Sequence, residues 1–269
     1  MFFRKLIAFI KKDFLIHISY RISFMLNILG VIVSVLIFYF IAKMFGQGMN
    51  PYLAEYGVGY FPFVLIGLAF YNYLSLALKT FSISLREEQM MGTLETIFLS
   101  PTKISNIIIC MPCWDFVFSS LNALVCLFFG ICFLGVKLVN PNFLVITVIL
   151  ILTIISSISI GIISGAFIMI FKRGDPITWS INLISAIFGG VYFPVTILPK
   201  NLHFISKLLP ITYSLEALRY ALLKGYGIKA LLPEIISLLV FCIVLIPLSI
   251  SIFKYAVRKA KISGSLAHY

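Results

Sequence analysis

An all-α integral membrane protein with six transmembrane helices is the fold class this sequence predicts, and three observations predict it. Hydrophobic residues fill 61% of the 269 positions and charged residues only 11%, with a mean hydropathy of +1.11. A soluble domain is roughly half apolar and a quarter charged. The apolar residues fall in six runs, about 22–45, 61–85, 104–134, 143–171, 177–195 and 232–253, and about 20 apolar residues suffice to cross a bilayer. Lysine and arginine are about twice as frequent in the loops and tails on the side of the termini as on the other side, with clusters at Arg4, Lys5, Lys11 and Lys12 and at Lys254, Arg258, Lys259 and Lys261. By the positive-inside rule both termini are expected in the cytoplasm of a multi-pass plasma-membrane protein.

Taken in order, residues 1–21 form an N-terminal amphipathic interfacial helix. Arg4, Lys5, Lys11 and Lys12 share one arc at helical spacing, and Phe3, Leu6, Ile7, Ile10 and Phe14 share another. Lys11, Lys12 and Asp13 interrupt any signal-peptide core, so this segment is expected to be retained. Residues 22–269 then make the six-helix transmembrane domain. After the second run comes REEQMMGTLETIFLSP, residues 86–101. Read as a separate helix, it sets Met90, Met91, Leu94, Ile97 and Phe98 on one face and Glu88, Gln89, Gly92, Glu95 and Thr96 on the other. Acidic charge beside an anionic leaflet is repelled unless something covers it, so a soluble partner on the cytoplasmic face is expected.

The third run carries Asp115 as an intramembrane acid, which costs about 2.5–3.5 kcal/mol at a helix centre if unpaired. It is read as a cargo contact or polar latch, or as a residue lying nearer the interface than the run boundaries suggest. Pro112 and Pro247 read as kinks. Cys110 and Cys113 have CxxC spacing but no second pair or nearby histidine, so neither metal nor redox chemistry is expected. Ser157, Gly161 and Gly165 in the fourth run form a small-residue stripe that lets a helix approach closely, within one subunit or between two. Tyr52, Tyr56, Tyr60, Tyr71 and Tyr73 read as an interfacial aromatic belt, or alternatively as a sugar-stacking track.

From Gly189-Gly190 to 231 the chain reads as a re-entrant extracellular hairpin. Leu198, Leu202, Ile205 and Leu209 repeat at helical spacing. A second short helix starts at Thr212 or Ser214, holds Glu216 in its first turn and Lys224 in its last, and stops at Gly225. Backbone of this kind survives at membrane depth only when buried in protein or lining a wet cavity.

Gly92 to Pro101, GTLETIFLSP, followed by Tyr192-Phe193-Pro194 and Leu209-Pro210-Ile211-Thr212-Tyr213, resembles the permeases of ATP-binding-cassette type-2 exporters. The resemblance covers essentially the whole chain. It implies a pair of permease chains, identical or paralogous, each engaging one of two cytoplasmic ATPase subunits through a coupling helix between the second and third spans. It further implies ATPase-coupling roles for Glu87, Glu88, Gly92, Thr93, Leu94 and Glu95. By the same resemblance Gly189, Gly190, Pro194, Pro199, Pro210, Glu216 and Arg219 belong to an extracellular gate. Family members commonly have glycine directly after the glutamine, whereas here Met90-Met91 stands between Gln89 and Gly92.

The sequence has no G-x-x-x-x-G-K-[ST] phosphate loop, no H-E-x-x-H site and no G-x-S-x-G elbow. A non-catalytic subunit is therefore expected, with no cofactor of its own and with ATP and Mg on the partner ATPase. The expected cargo is a hydrophobic drug-like or lipid-linked molecule moving out of the cytoplasm or inner leaflet, because few charges line the spans. A polysaccharide or lipid-oligosaccharide is the second reading. A partner-free secondary transporter needs ion-coordinating groups in both halves, which are not evident. A membrane anchor for a soluble protein has no use for an outer hairpin. The net charge of +12 is accounted for by orientation and by anionic membrane lipids, without nucleic acid.

Overall fold

A computed structural model describes residues 20–44, 51–90, 113–139, 141–171 and 175–262, together with Ile7, Ile10, Lys11, Phe14 and Leu15, which are helical. Every regular element among the described residues is helical. These are α1 (Arg21–Met44), α2 (Tyr60–Met90), α3 (Cys113–Cys132), α4 (Phe143–Phe171), α5 (Asp175–Phe188), α6 (His203–Lys207), α7 (Pro210–Leu223) and α8 (Leu232–Ile262). Short 3-10 turns at Pro51–Tyr56, Val195–Ile197 and Lys200–Leu202 join them.

Among the described residues five helices, α1, α2, α3, α4 and α8, are long and apolar enough to cross a membrane. The fifth apolar run is shorter as a helix than its sequence suggests. α5 has 14 residues, about 21 Å at 1.5 Å per residue, against a hydrocarbon core of about 30 Å. The apolar run continues to Val195, but the helix stops at Phe188 because Gly190 takes φ +75°, a left-handed conformation that ends a helix.

α2 is longer than its apolar run. It continues without a break through Arg86, Glu87, Glu88 and Gln89 to Met90, so the first turn expected of a separate coupling helix is the end of the second span. The physical reason is plain in the sequence: these residues are good helix formers, and the first breaker is Gly92. At 31 residues α2 is about 46 Å long.

α2 and α4 hold the centre. Phe63, Val64, Leu65 and Ile66 of α2 are fully buried, as are Ile149 of α4 and Leu215 and Leu218 of α7. α4 packs most extensively on α8, with Ile162, Ala166 and Met169 against Phe253, Ala256 and Val257. Ser157, Gly161 and Gly165 are all buried within this one chain. α1 is peripheral: Val35 is its one fully buried apolar residue among those described.

Hydroxyls tie the helices together. The Tyr71 hydroxyl donates to the Asn182 carbonyl at 2.7 Å, linking α2 to α5, and that of Tyr73 donates to Ser120 Oγ at 2.9 Å, linking α2 to α3. Thr153 donates to Ser214 at 2.9 Å between α4 and α7. Tyr73 is 1% exposed, so neither it nor the buried Tyr56 belongs to an open belt or a sugar track; both are core residues.

Candidate functional site

The segment after α5 folds back over the ends of the spans, and its geometry starts from proline and glycine. Pro194 and Pro199, both in extended backbone, precede the two 3-10 turns. Pro210 occupies the first turn of α7, where its missing N–H costs nothing. α7 thus begins a few residues before the threonine and serine that the sequence suggested as caps. It stops at Gly225 as expected, at φ +67°, but Glu216 falls beyond its first turn and Lys224 is its C-cap rather than part of its last turn, with the Lys224 N–H bonding the Tyr220 carbonyl at 3.1 Å.

Arg219 lies on the buried side of α7 and is 2% exposed. Its Nε donates to the Phe63 carbonyl at 3.2 Å, and its Nη2 donates to the carbonyls of Gly190 at 2.8 Å and Val191 at 3.1 Å. Its guanidinium carbon sits 3.5 Å from the centroid of the Phe63 ring. One side chain therefore binds α2, the turn that ends α5, and α7. The carbonyls after α5 are free to accept because they lie beyond its last turn. Gly67, one turn along α2 from Phe63, makes the approach possible. A Cβ there would stand 2.2 Å from the Val191 oxygen and 2.9 Å from Arg219 Nη2. At Gly189 a Cβ would meet the Ser185 carbonyl oxygen at 2.2 Å and Ile211 Cγ2 at 2.6 Å.

Charge collects around this guanidinium. Burial pulls Arg219 down to about 9, with Tyr56 and Glu216 pulling the other way, which leaves it cationic at neutral pH. Burial raises the Glu216 carboxyl above its ordinary value, helped by Glu234 and Glu55 and opposed by Arg219. Burial likewise pushes the Tyr56 phenol up to about 12. The Tyr220 hydroxyl donates to Glu55 Oε1 at 2.7 Å, and its ring stacks between Tyr56 and Tyr226 with centroids at 5.3 and 5.5 Å. Glu216 thus bears on the buried cation directly, while Glu55 and Glu234, from two other elements, act on Glu216.

At the other end of α2, the Thr80 hydroxyl donates to Asp115 Oδ2, bridging to the first turn of α3. Asp115 is a half-buried acid in the first turn of its described helix, with Thr80 as its partner. Glu87 and Glu88 fall in the last turns of α2, with their side chains beyond the described atoms. Gly92, Thr93, Leu94 and Glu95 lie outside the described residues, as does Cys110. No group of three or more His, Cys, Asp or Glu side chains that could hold a metal occurs among the described residues.

The structure therefore brings Gly189, Gly190, Glu216 and Arg219 together, with Pro194, Pro199 and Pro210 shaping the chain between them. Sequence reasoning missed Phe63, Gly67, Glu55 and Tyr220. Gly67 interrupts an apolar run and Glu55 is a charge between two spans, so each carried a signal, but nothing local tied either to Arg219.

Taken together, the long apolar helices define a multi-pass α-helical membrane protein whose non-spanning segment is pinned to the span ends by a buried arginine. The chain belongs to the ABC-2 type transporter family, whose model matches residues 4–223. Family membership makes it the membrane-spanning permease component of an ABC transporter, a component that is generally non-catalytic and typically partners with ABC ATPase subunits. No curated protein matches the sequence.

Proposed function

We propose that this permease couples ATP hydrolysis on two cytoplasmic ATPase subunits to export through a pair of such chains, with α2 as the transmitting element. One observation carries the reading. α2 is a single uninterrupted helix that has the Phe63 carbonyl, held by Arg219, near one end and Glu87 and Glu88 near the other. A displacement applied at the acidic end of a continuous helix moves the whole rod. Through Arg219 it reaches the Gly189–Gly190 turn and α7. The resemblance assigns these ends to ATPase coupling and to an outer gate, and their connection by one helix supports both assignments.

In this reading the segment 86–101 docks on the ATPase and Gly92, Thr93, Leu94 and Glu95 complete the contact. The chain crosses the membrane six times, with α5 as the fifth crossing, the 189–231 segment forming a re-entrant hairpin on the outer side, and both termini in the cytoplasm of a cell whose plasma membrane it occupies. ATP and Mg stay with the partner. The cargo is a hydrophobic drug-like or lipid-linked molecule. In support, the buried polar side chains of the described spans are hydroxyls and amides rather than charges, which suits an apolar cargo better than a polysaccharide.

Reconstitution with an ATPase encoded beside this gene tests the reading. Glu88→Lys combined with Glu95→Lys should cut permease-stimulated ATP hydrolysis by about tenfold, as expected for charge reversal at a docking contact. Transport of labelled lipids should fall with it. If the two proteins never copurify, or if the double variant hydrolyses and transports as the parent does, the coupling assignment is wrong.

A further inference from the structure

A cavity of about 410 Å³ opens where three spanning helices end on the same face as the Arg219 cluster. It is lined by the end of α1, the start of α2 and the chain just after α3, with Gly59 and Gly135 among the lining residues. Four of its side chains have polar heads: Tyr39, Lys43, Tyr60 and Lys137. No acid lines it. None of these four heads makes a hydrogen bond or ion pair with another described residue. Tyr39 is held in place by its ring, which packs edge-on against Phe61 at 5.3 Å. Gly135, at φ +72°, turns the chain so that Lys137 follows α3 back toward the cavity.

Complementing a helix dipole is the ordinary task of a lysine in a last turn, and Lys43 lies in the last turn of α1. That task does not account for a second lysine from another element, or for two phenols on the same cavity whose hydroxyls have no partner among the described residues. A set made of two ammonium groups and two hydroxyls, with no competing carboxylate, selects a multi-oxygen anion. Lysine binds phosphate as a point charge, and charge-assisted bonds are about twice as strong as neutral ones. The ends of spanning helices also lie at the depth of lipid phosphates. From this juxtaposition we infer that the cavity between α1, α2 and the chain after α3 is a binding site for a phosphate group, carried by a lipid headgroup or free in solution.

The full chain in nanodiscs tests it. One set contains phosphatidylcholine alone and a second adds phosphatidylglycerol; native mass spectrometry reads the lipids retained, and thermal unfolding reads stabilisation. The parent should retain phosphatidylglycerol over phosphatidylcholine by about tenfold, and Lys43→Gln with Lys137→Gln should abolish that preference, as loss of about 1.4 kcal/mol of charge-assisted binding requires. Inorganic phosphate added to the phosphatidylcholine discs separates the sources. A rise in Tm of the parent and not of the double variant identifies free phosphate as a ligand, whereas retained phosphatidylglycerol without that rise identifies the lipid. Unfolding in phosphatidylcholine alone verifies that the variant is folded. Should it not fold, Lys137→Gln by itself, outside any helix, should lower the preference about threefold. Equal retention of both lipids by the parent together with no response to phosphate overturns the inference, as does a preference that survives the lysine substitutions.

Discussion

Arg219 concentrates more of the structure than any other single residue. Burying a cation is tolerable only when its donors are satisfied, and here three carbonyls and one aromatic face meet that need. Arg219→Ala should lower stability by at least about 3 kcal/mol, because each orphaned buried acceptor costs about 1–3 kcal/mol and the vacated volume adds to it. Arg219→Lys should be intermediate, since a point donor cannot serve carbonyls spread over two elements or lie flat on Phe63. Thermal unfolding of the purified variants measures both, and a Tm unchanged in Arg219→Ala would mean that the pin contributes nothing. Gly189 and Gly190 could be picked out of the sequence because paired glycines loosen an apolar helix, and Arg219 through the resemblance alone. Their acceptor Phe63 could not be, because 156 positions separate it from Arg219 and its contribution is a main-chain oxygen and a ring, which any apolar run can offer. Asp115 could be read from the sequence as an acid in an apolar run, but its partner Thr80, 35 positions away on α2, could not.

Helix boundaries follow the same logic one level up. The apolar run ends at Leu85, but hydrogen bonding does not stop where hydropathy does, and α2 carries on through charged residues of high helix propensity. In α5 the reverse holds: apolar sequence continues while left-handed Gly190 has already ended the helix. Hydropathy thus located five of the runs as long apolar helices and misjudged the lengths of two elements for opposite reasons. If α2 acts as a rod, breaking it should separate its two ends. Ser84→Pro, which costs about 3 kcal/mol in a helix interior, should leave ATPase binding and hydrolysis in the reconstituted complex while transport falls by about tenfold or more. Equal loss of both activities, or of neither, would argue against transmission through α2.

Across the whole molecule, basic-residue placement predicts that the loops alternate between two faces with both termini in the cytoplasm. Single cysteines placed at Lys137, Lys200 and Lys259 in a cysteine-free background test it with a membrane-impermeant thiol reagent. The first two should label together from outside intact cells, and the third only after permeabilisation. Labelling of Lys259→Cys from outside would reverse the orientation. The partnership of α4 with α8 was not legible in the sequence, because two apolar helices of similar hydropathy give no sign of which will meet. It has a consequence in time rather than in space. α4 leaves the ribosome long before α8, whose first residue is Leu232, so Ile162, Ala166 and Met169 must wait in the bilayer without their final neighbours. A chain that stops at Leu223, where the family match ends, would carry nearly all the recognisable permease sequence and still leave that face open to quality control.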